Sequence, residues 1–213
     1  MNEASTVVEI PEPNLSRFLF SDSRFAGIWL LLRLYVGYEW FSAALEKLTG
    51  TGWVGPSAGS AIKGFLAGAL KQATGAHPAV SGWYAYFISN VALSHTVFFS
   101  YLITYGELMV GIGLMLGAFT GIAAFFGVIM NFNYLFAGTV SLNPLLLLIE
   151  LFLVLAWRNA GWFGFDRILL PYLGTPWQGG KLFQKKGLSP VEVLLLCMGI
   201  GLVLIVTISL IFK

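Results

Sequence analysis

Arg33-Leu34-Tyr35-Val36-Gly37-Tyr38-Glu39-Trp40 is the stretch on which the reading of this chain turns, because it places an arginine and a glutamate inside the first long apolar run, residues 26–48. A guanidinium in hydrocarbon costs roughly 2.5–3.5 kcal/mol on insertion scales, so such a residue is paired or functional. Continuing at about 100° per residue, Arg33 and Lys47 fall within about 40° of one helix face, with Gly37, Trp40 and Ala44 between them. Glu39 and Glu46 fall on a separate stripe.

The surrounding composition decides what that helix is embedded in. The chain is 57% hydrophobic and only 10% charged, with mean hydropathy +0.81, whereas a soluble globule is about a quarter charged. Apolar runs at 26–48, 97–117, 119–138, 144–158 and 190–212 approach the length needed to cross a hydrocarbon layer of about 30 Å. The expected fold class is therefore all-α integral membrane. A four-helix transmembrane bundle (26–170) carries an outer amphipathic-helix insertion at 49–95, followed by a linker at 171–189 and a fifth C-terminal transmembrane helix at 190–213.

Seven basic residues (Arg17, Arg24, Arg158, Arg167, Lys181, Lys185, Lys186) lie on one side of these spans and four (Lys47, Lys63, Lys71, Lys213) on the other. By the positive-inside rule the N-terminal segment 1–25 is cytoplasmic and the insertion faces outward, in a multi-pass protein of the plasma membrane. No concentrated basic run suggests nucleic acid. Some 24 mostly polar residues precede the first apolar run, which argues against a cleaved secretory signal.

Several local features refine this outline. Leu15, Phe18, Leu19 and Phe25 at helical spacing suggest a short surface helix. Within the insertion, Ile62, Phe65, Leu66, Ala69 and Leu70 form one helical face and Val80, Trp83, Phe87, Ile88 and Val91 another. Trp53, Trp83, Tyr84 and Tyr86 suggest an interfacial belt, matched on the inner side by Trp157, Trp162 and Trp177. Asn143-Pro144 reads as an N-cap followed by proline at the first helical position. Glycines 106, 111, 113, 117, 121 and 127 suit close helix packing, and no strand is expected.

Glu107 and Glu150 fall near the middle of the second and fourth spans, and Asn131 and Asn133 in the third. All need partners where water is absent. Two readings stand side by side. In one, Arg33 pairs with Glu107 or Glu150 and locks the bundle; in the other, the polar groups surround a cavity for a polar ligand, a proton path or a quinone headgroup. The lone Cys197 permits no disulfide within the chain. His77 and His95 are the only histidines and both lie in or beside the insertion, so no bis-histidine haem, flavin or metal site is recognised.

The pattern Arg33-x3-Gly37-x2-Trp40-x6-Lys47, Gly106-Glu107-Leu108-x2-Gly111-x-Gly113-x3-Gly117, Asn131-x-Asn133 and Gly161-x2-Gly164-x-Asp166-Arg167 resembles the DoxX-like membrane family. Within that family it is most similar to DoxD, the membrane subunit of thiosulfate:quinone oxidoreductase. The resemblance covers about residues 26–170. It implies a membrane oxidoreductase subunit of sulfur metabolism that passes electrons from thiosulfate, or a related reduced sulfur compound, to a quinone, with a second small subunit as partner and a homo-oligomer as a further arrangement. On this reading Glu107 and Arg33 are catalytic, and Arg33, Lys47, Trp40, Asn131 and Asn133 bind substrate. Arg33 and Lys47 would hold a dianion or a quinone carbonyl, Glu107 would pass protons, and the asparagines would orient the substrate. The competing classes are a non-catalytic assembly or scaffold protein and a small-anion carrier.

Overall fold

The computed structural model describes residues 11–175 and 178–181. The proposed fifth span, Cys197 and most of the 171–189 linker lie outside the described residues. Helix α1 (Asn14–Ser21) leads through a 3₁₀ turn into α2 (Ala26–Thr49). The insertion contributes α3 (Ser60–Lys71) and α4 (Gly82–Phe87), and then come α5 (Thr96–Leu116), α6 (Thr120–Phe136), α7 (Asn143–Leu155), α8 (Trp157–Ala160) and α9 (Asp166–Leu173). The helices read from the first four apolar runs thus form within a few residues of their expected limits.

These four long helices pack in a closed ring: α2 on α5, α5 on α6, α6 on α7, and α7 back on α2. Glycine sets the closest approach. A Cβ on Gly111 would lie 2.6 Å from the Phe41 backbone nitrogen, and one on Gly37 would lie 2.9 Å from Met115. The α2–α5 crossing therefore needs both positions bare.

The outside of the ring is apolar, unlike that of a soluble bundle, and a few polar residues are buried within its largely apolar core. Arg33, Glu107, Asn131 and Glu150 are buried, while Leu31, Met109, Phe126, Leu148 and Leu155 on the same helices are exposed, Met109 at 73%. One helical run, Gly82–Leu116, is long and apolar enough by length and composition to cross a membrane; α6 and α7 are shorter apolar helices.

The insertion folds as a second layer over one end of the ring. Ile62, Leu66 and Ala69 of α3 bury against Val80, Tyr84, Ile88 and Ala92, with Ala137 from the end of α6 beneath them. The face of the second helix differs from the expected one: Tyr84 is buried, whereas Trp83 is 61% exposed. The reason is a hydrogen bond, since the Tyr84 hydroxyl donates to the Asn133 backbone and side-chain oxygens at 3.1 Å. Nor is that helix separate from the span. A π turn (Ile88–Ala92) and a 3₁₀ turn (Leu93–His95) carry it into α5.

Two further expectations change. Asn143 is the first residue of α7 rather than its cap, and its amide donates back to Thr139 O at 3.0 Å. A minimal antiparallel pair, Gly174–Thr175 with Gln178–Gly179, follows α9 where no strand is expected. Gly174, at φ +78°, ends α9 and starts this pair.

At the opposite end α1 is tied to the ring by hydrogen bonds. Trp29 Nε1 donates to Leu19 O at 2.7 Å, and Asn159 Nδ2 donates to Leu19 O at 3.1 Å and Asp22 O at 2.9 Å. Asp22 and Arg24 form an exposed ion pair at 2.5 Å. Hydrogen bonds from the Arg24 side chain and backbone hold the Asp22 carboxyl down at about 2.

Candidate functional site

The buried polar residues form two clusters at different heights of the ring. Arg33 and Lys47 share a face of α2 but are 14 residues apart, roughly 21 Å along the axis. They do not converge on one small guest.

Arg33 belongs to the cluster at the α5–α6 turn. Its Nη1 donates to Leu114 O at 2.6 Å and Met115 O at 3.4 Å, and its Nη2 donates to Phe163 O at 3.1 Å. Those first two carbonyls belong to the last turn of α5, where helix acceptors lack intrahelical donors and a cation is favoured. Arg33 pairs with neither Glu107 nor Glu150, and it closes a helix C-terminus instead.

Asp166 complements it. Its carboxylate accepts from Phe119 N at 2.5 Å and Thr120 N at 2.8 Å, covering the N-terminus of α6 with negative charge. Phe165 N and Asp166 N donate in turn to Leu116 O and Gly117 O, so the 161–166 turn lies against the 114–120 turn. Close approach explains the Gly161-x2-Gly164 spacing. A Cβ on Gly161 would run into the Asp166 carboxylate, and one on Gly164 would lie 2.8 Å from Gly117 Cα. Burial pushes the Asp166 carboxyl above its ordinary value, against the Thr120 and Phe119 contacts and the Arg33 charge, which act the other way. The Thr120 hydroxyl lies beside this carboxyl without an aligned hydrogen bond.

The second cluster lies toward the insertion. Lys47 Nζ is 2.7 Å from Glu107 Oε2, with the two side chains 16% and 1% exposed. The approach lies off the hydrogen-bonding direction of that oxygen, so the contact is an ion pair. The Tyr134 hydroxyl donates to the other oxygen, Glu107 Oε1, at 2.5 Å. Trp53, from the insertion, covers Lys47 with its ring centroid 5.1 Å from Nζ, a cation–π contact. The Ser100 hydroxyl holds the Trp53 carbonyl at 2.5 Å.

Next to this ion pair is a second carboxylate. Glu150 Oε1 accepts from Trp40 Nε1 at 2.5 Å, and Glu150 Oε2 accepts from Asn131 Nδ2 at 2.7 Å. The two carboxylate groups are joined through rings, because Trp40 stacks on Tyr134 with centroids 6.3 Å apart. Each helix of the ring contributes to this interior: α2 gives Trp40 and Lys47, α5 gives Glu107, α6 gives Asn131 and Tyr134, and α7 gives Glu150.

Of the residues expected at the site, Lys47, Glu107, Trp40 and Asn131 are brought together, and Arg33 is placed in the other cluster. Asn133 is on an exposed face, with its amide donating to Ile129 O at 2.8 Å. Tyr134 and Glu150 complete the set. Tyr134 was legible in principle, three residues after Asn131 and so on the same face of α6. Among the described residues no group of three His, Cys, Asp or Glu is arranged to hold a metal ion.

Of three comparisons with known proteins, one found a match. Searches of curated proteins and of solved structures found no match. The family model described as "TQO small subunit DoxD" matches residues 29–184, a span that takes in both buried clusters, and the chain belongs to that family.

Proposed function

We propose that the chain is the membrane-embedded small subunit of a thiosulfate:quinone oxidoreductase, and that quinone is reduced at the Lys47–Glu107–Tyr134 cluster. The reading of the family's name supplies the reaction and implies a partner subunit. The apolar outside of the ring supports the membrane, since exposed apolar side chains suit lipid and the few charged ones lie inside, where they are protected. On this reading α2, α5, α6 and α7 cross the plasma membrane, and the N-terminal segment is cytoplasmic.

The observation that carries the reading is a desolvated ammonium–carboxylate–phenol chain assembled from three helices. Two thiosulfates joined by a new S–S bond release two electrons as tetrathionate forms, and a quinone accepting them needs two protons. Lys47 is a hydrogen-bond donor for a quinone carbonyl oxygen and for the negative charge that develops on it. Glu107 relays the proton, taking it from the Lys47 ammonium beside it, and Tyr134 fixes its orientation. Trp53 closes the cluster on the insertion side. Arg33 serves here as a positioning residue that holds the far end of α5 against α2.

The test uses the chain reconstituted in lipid nanodiscs with its co-purifying subunit, assayed for thiosulfate-dependent reduction of a short-chain quinone. K47M and E107Q are expected to lower turnover roughly 100-fold with the fold intact by tryptophan fluorescence. Unchanged turnover in both variants overturns the assignment. Thiosulfate flux into proteoliposomes with no quinone reduction would favour the carrier class instead.

A further inference from the structure

The pair of carboxylates is asymmetric. Glu107 faces a cation, whereas both oxygens of the buried Glu150 are held by neutral donors, Trp40 Nε1 and Asn131 Nδ2. The titratable groups facing this interior are Lys47 from α2, Glu107 from α5 and Tyr134 from α6, and they are engaged with one another. Arg33, seven residues before Trp40 on α2, is committed to carbonyls at the other end. A carboxylate without a counter-charge in a dry interior is costly, and the neutral acid removes that cost.

A second observation points to a guest. Asn131 is fully buried, and its Oδ1 has no hydrogen-bond partner. Asn131 and Tyr134, which hold the two carboxyls, are three residues apart on α6, about 4.5 Å along the axis.

We infer that Glu150 is a second proton-donating group of the quinone site, held by Trp40 and Asn131, with the free Asn131 oxygen accepting from the hydroxyl of the quinol formed. The inference rests on the quinone-reductase reading. Quinol formation makes two O–H bonds: the two electrons come from two thiosulfates, one proton comes from the Lys47 ammonium by way of Glu107 and the other leaves the Glu150 carboxyl. Lys47 and Glu150 regain protons from water before the next turnover. Reprotonated Lys47 again neutralises Glu107, and Trp40 and Asn131 stabilise the Glu150 anion by hydrogen bonds until it is refilled.

The experiment uses the reconstituted complex and two readouts: binding of a short-chain quinone by tryptophan quenching, and turnover as a function of pH. Wild type is expected to bind and reduce the quinone; failure of both overturns the quinone reading itself. With wild type and E107Q behaving as described above, E150Q is expected to bind quinone within about three-fold of wild type, to turn over roughly 100-fold more slowly, and to lose the alkaline fall of the pH profile. An E150Q profile and turnover equal to wild type overturn the Glu150 assignment and leave the parent reading standing. If E150Q does not fold, W40F decides, since it keeps a ring and removes only the indole N–H donor. A shifted pH profile in W40F supports the inference, and an unshifted one overturns it.

Discussion

Gly127 of α6 lies directly against the carboxylate of Glu150 on α7, so close that any Cβ at 127 would overlap Oε1. The absence of a side chain at one position thus sets where a buried acid on the neighbouring helix can sit. G127A is expected to destabilise the α6–α7 pair by about 1–3 kcal/mol, the usual cost of overpacking. It should also displace Glu150 from Trp40. Thermal unfolding in detergent, together with the tryptophan emission of G127A against wild type, reads both effects; identical traces would contradict the packing.

Arg33 makes its contacts through geometry as well as charge. R33M removes donors from the carbonyls of Leu114 and Phe163 and leaves Asp166 without the nearby cation. We expect a loss of about 3 kcal/mol, in the range seen when one partner of a buried charged group is removed. R33K keeps the charge but not the planar fork, so it should recover only part of that loss. Full recovery in R33K would mean that charge alone matters. Denaturant titration of the three proteins in one detergent measures this.

For Asp166 the sign of the pH dependence follows from burial. The folded carboxyl binds its proton more tightly than the ordinary value of 3.8. The folded state therefore holds more protons than the unfolded one above 3.8, and this group's contribution to stability declines as pH rises until the folded carboxyl has ionised. D166N has no such titration. The stability of wild type minus that of D166N is expected to decrease between pH 4 and pH 7. An increase over that range would show that the hydrogen bonds from Phe119 and Thr120 outweigh desolvation.

Asn159 ties α1 to the ring through two carbonyls, those of Leu19 and Asp22. N159A leaves the Asp22 carbonyl without this donor and the Leu19 carbonyl with Trp29 Nε1 alone, a cost of about 1–2 kcal/mol. Amide hydrogen exchange over residues 14–25 should then accelerate roughly ten-fold, with little change in α5 and α6. Unaltered exchange in α1 would place its anchoring in the Trp29–Leu19 hydrogen bond and the Phe20–Trp29 and Phe20–Phe152 ring contacts.

Composition and apolar periodicity, by themselves, determined the all-helical class, the limits of α2, α5, α6 and α7 to within a few residues, and the presence of an unusual polar set at Arg33, Lys47, Glu107, Asn131 and Glu150. Those properties are local, since apolar periodicity and the polar residues that interrupt it are read along one helix at a time. The partners were decided only by the tertiary structure. Two basic residues on one face of α2 look equivalent in a helical projection, yet about 21 Å of axis separates them, and one closes a helix end while the other meets a carboxylate. Tyr134 acquired its role only when α5 came beside α6, and Asp166 only when the 161–166 turn came against the 114–120 turn. Helix phase places a residue on a face; axial height and the neighbour across the interface, which decide a hydrogen bond, arise from packing.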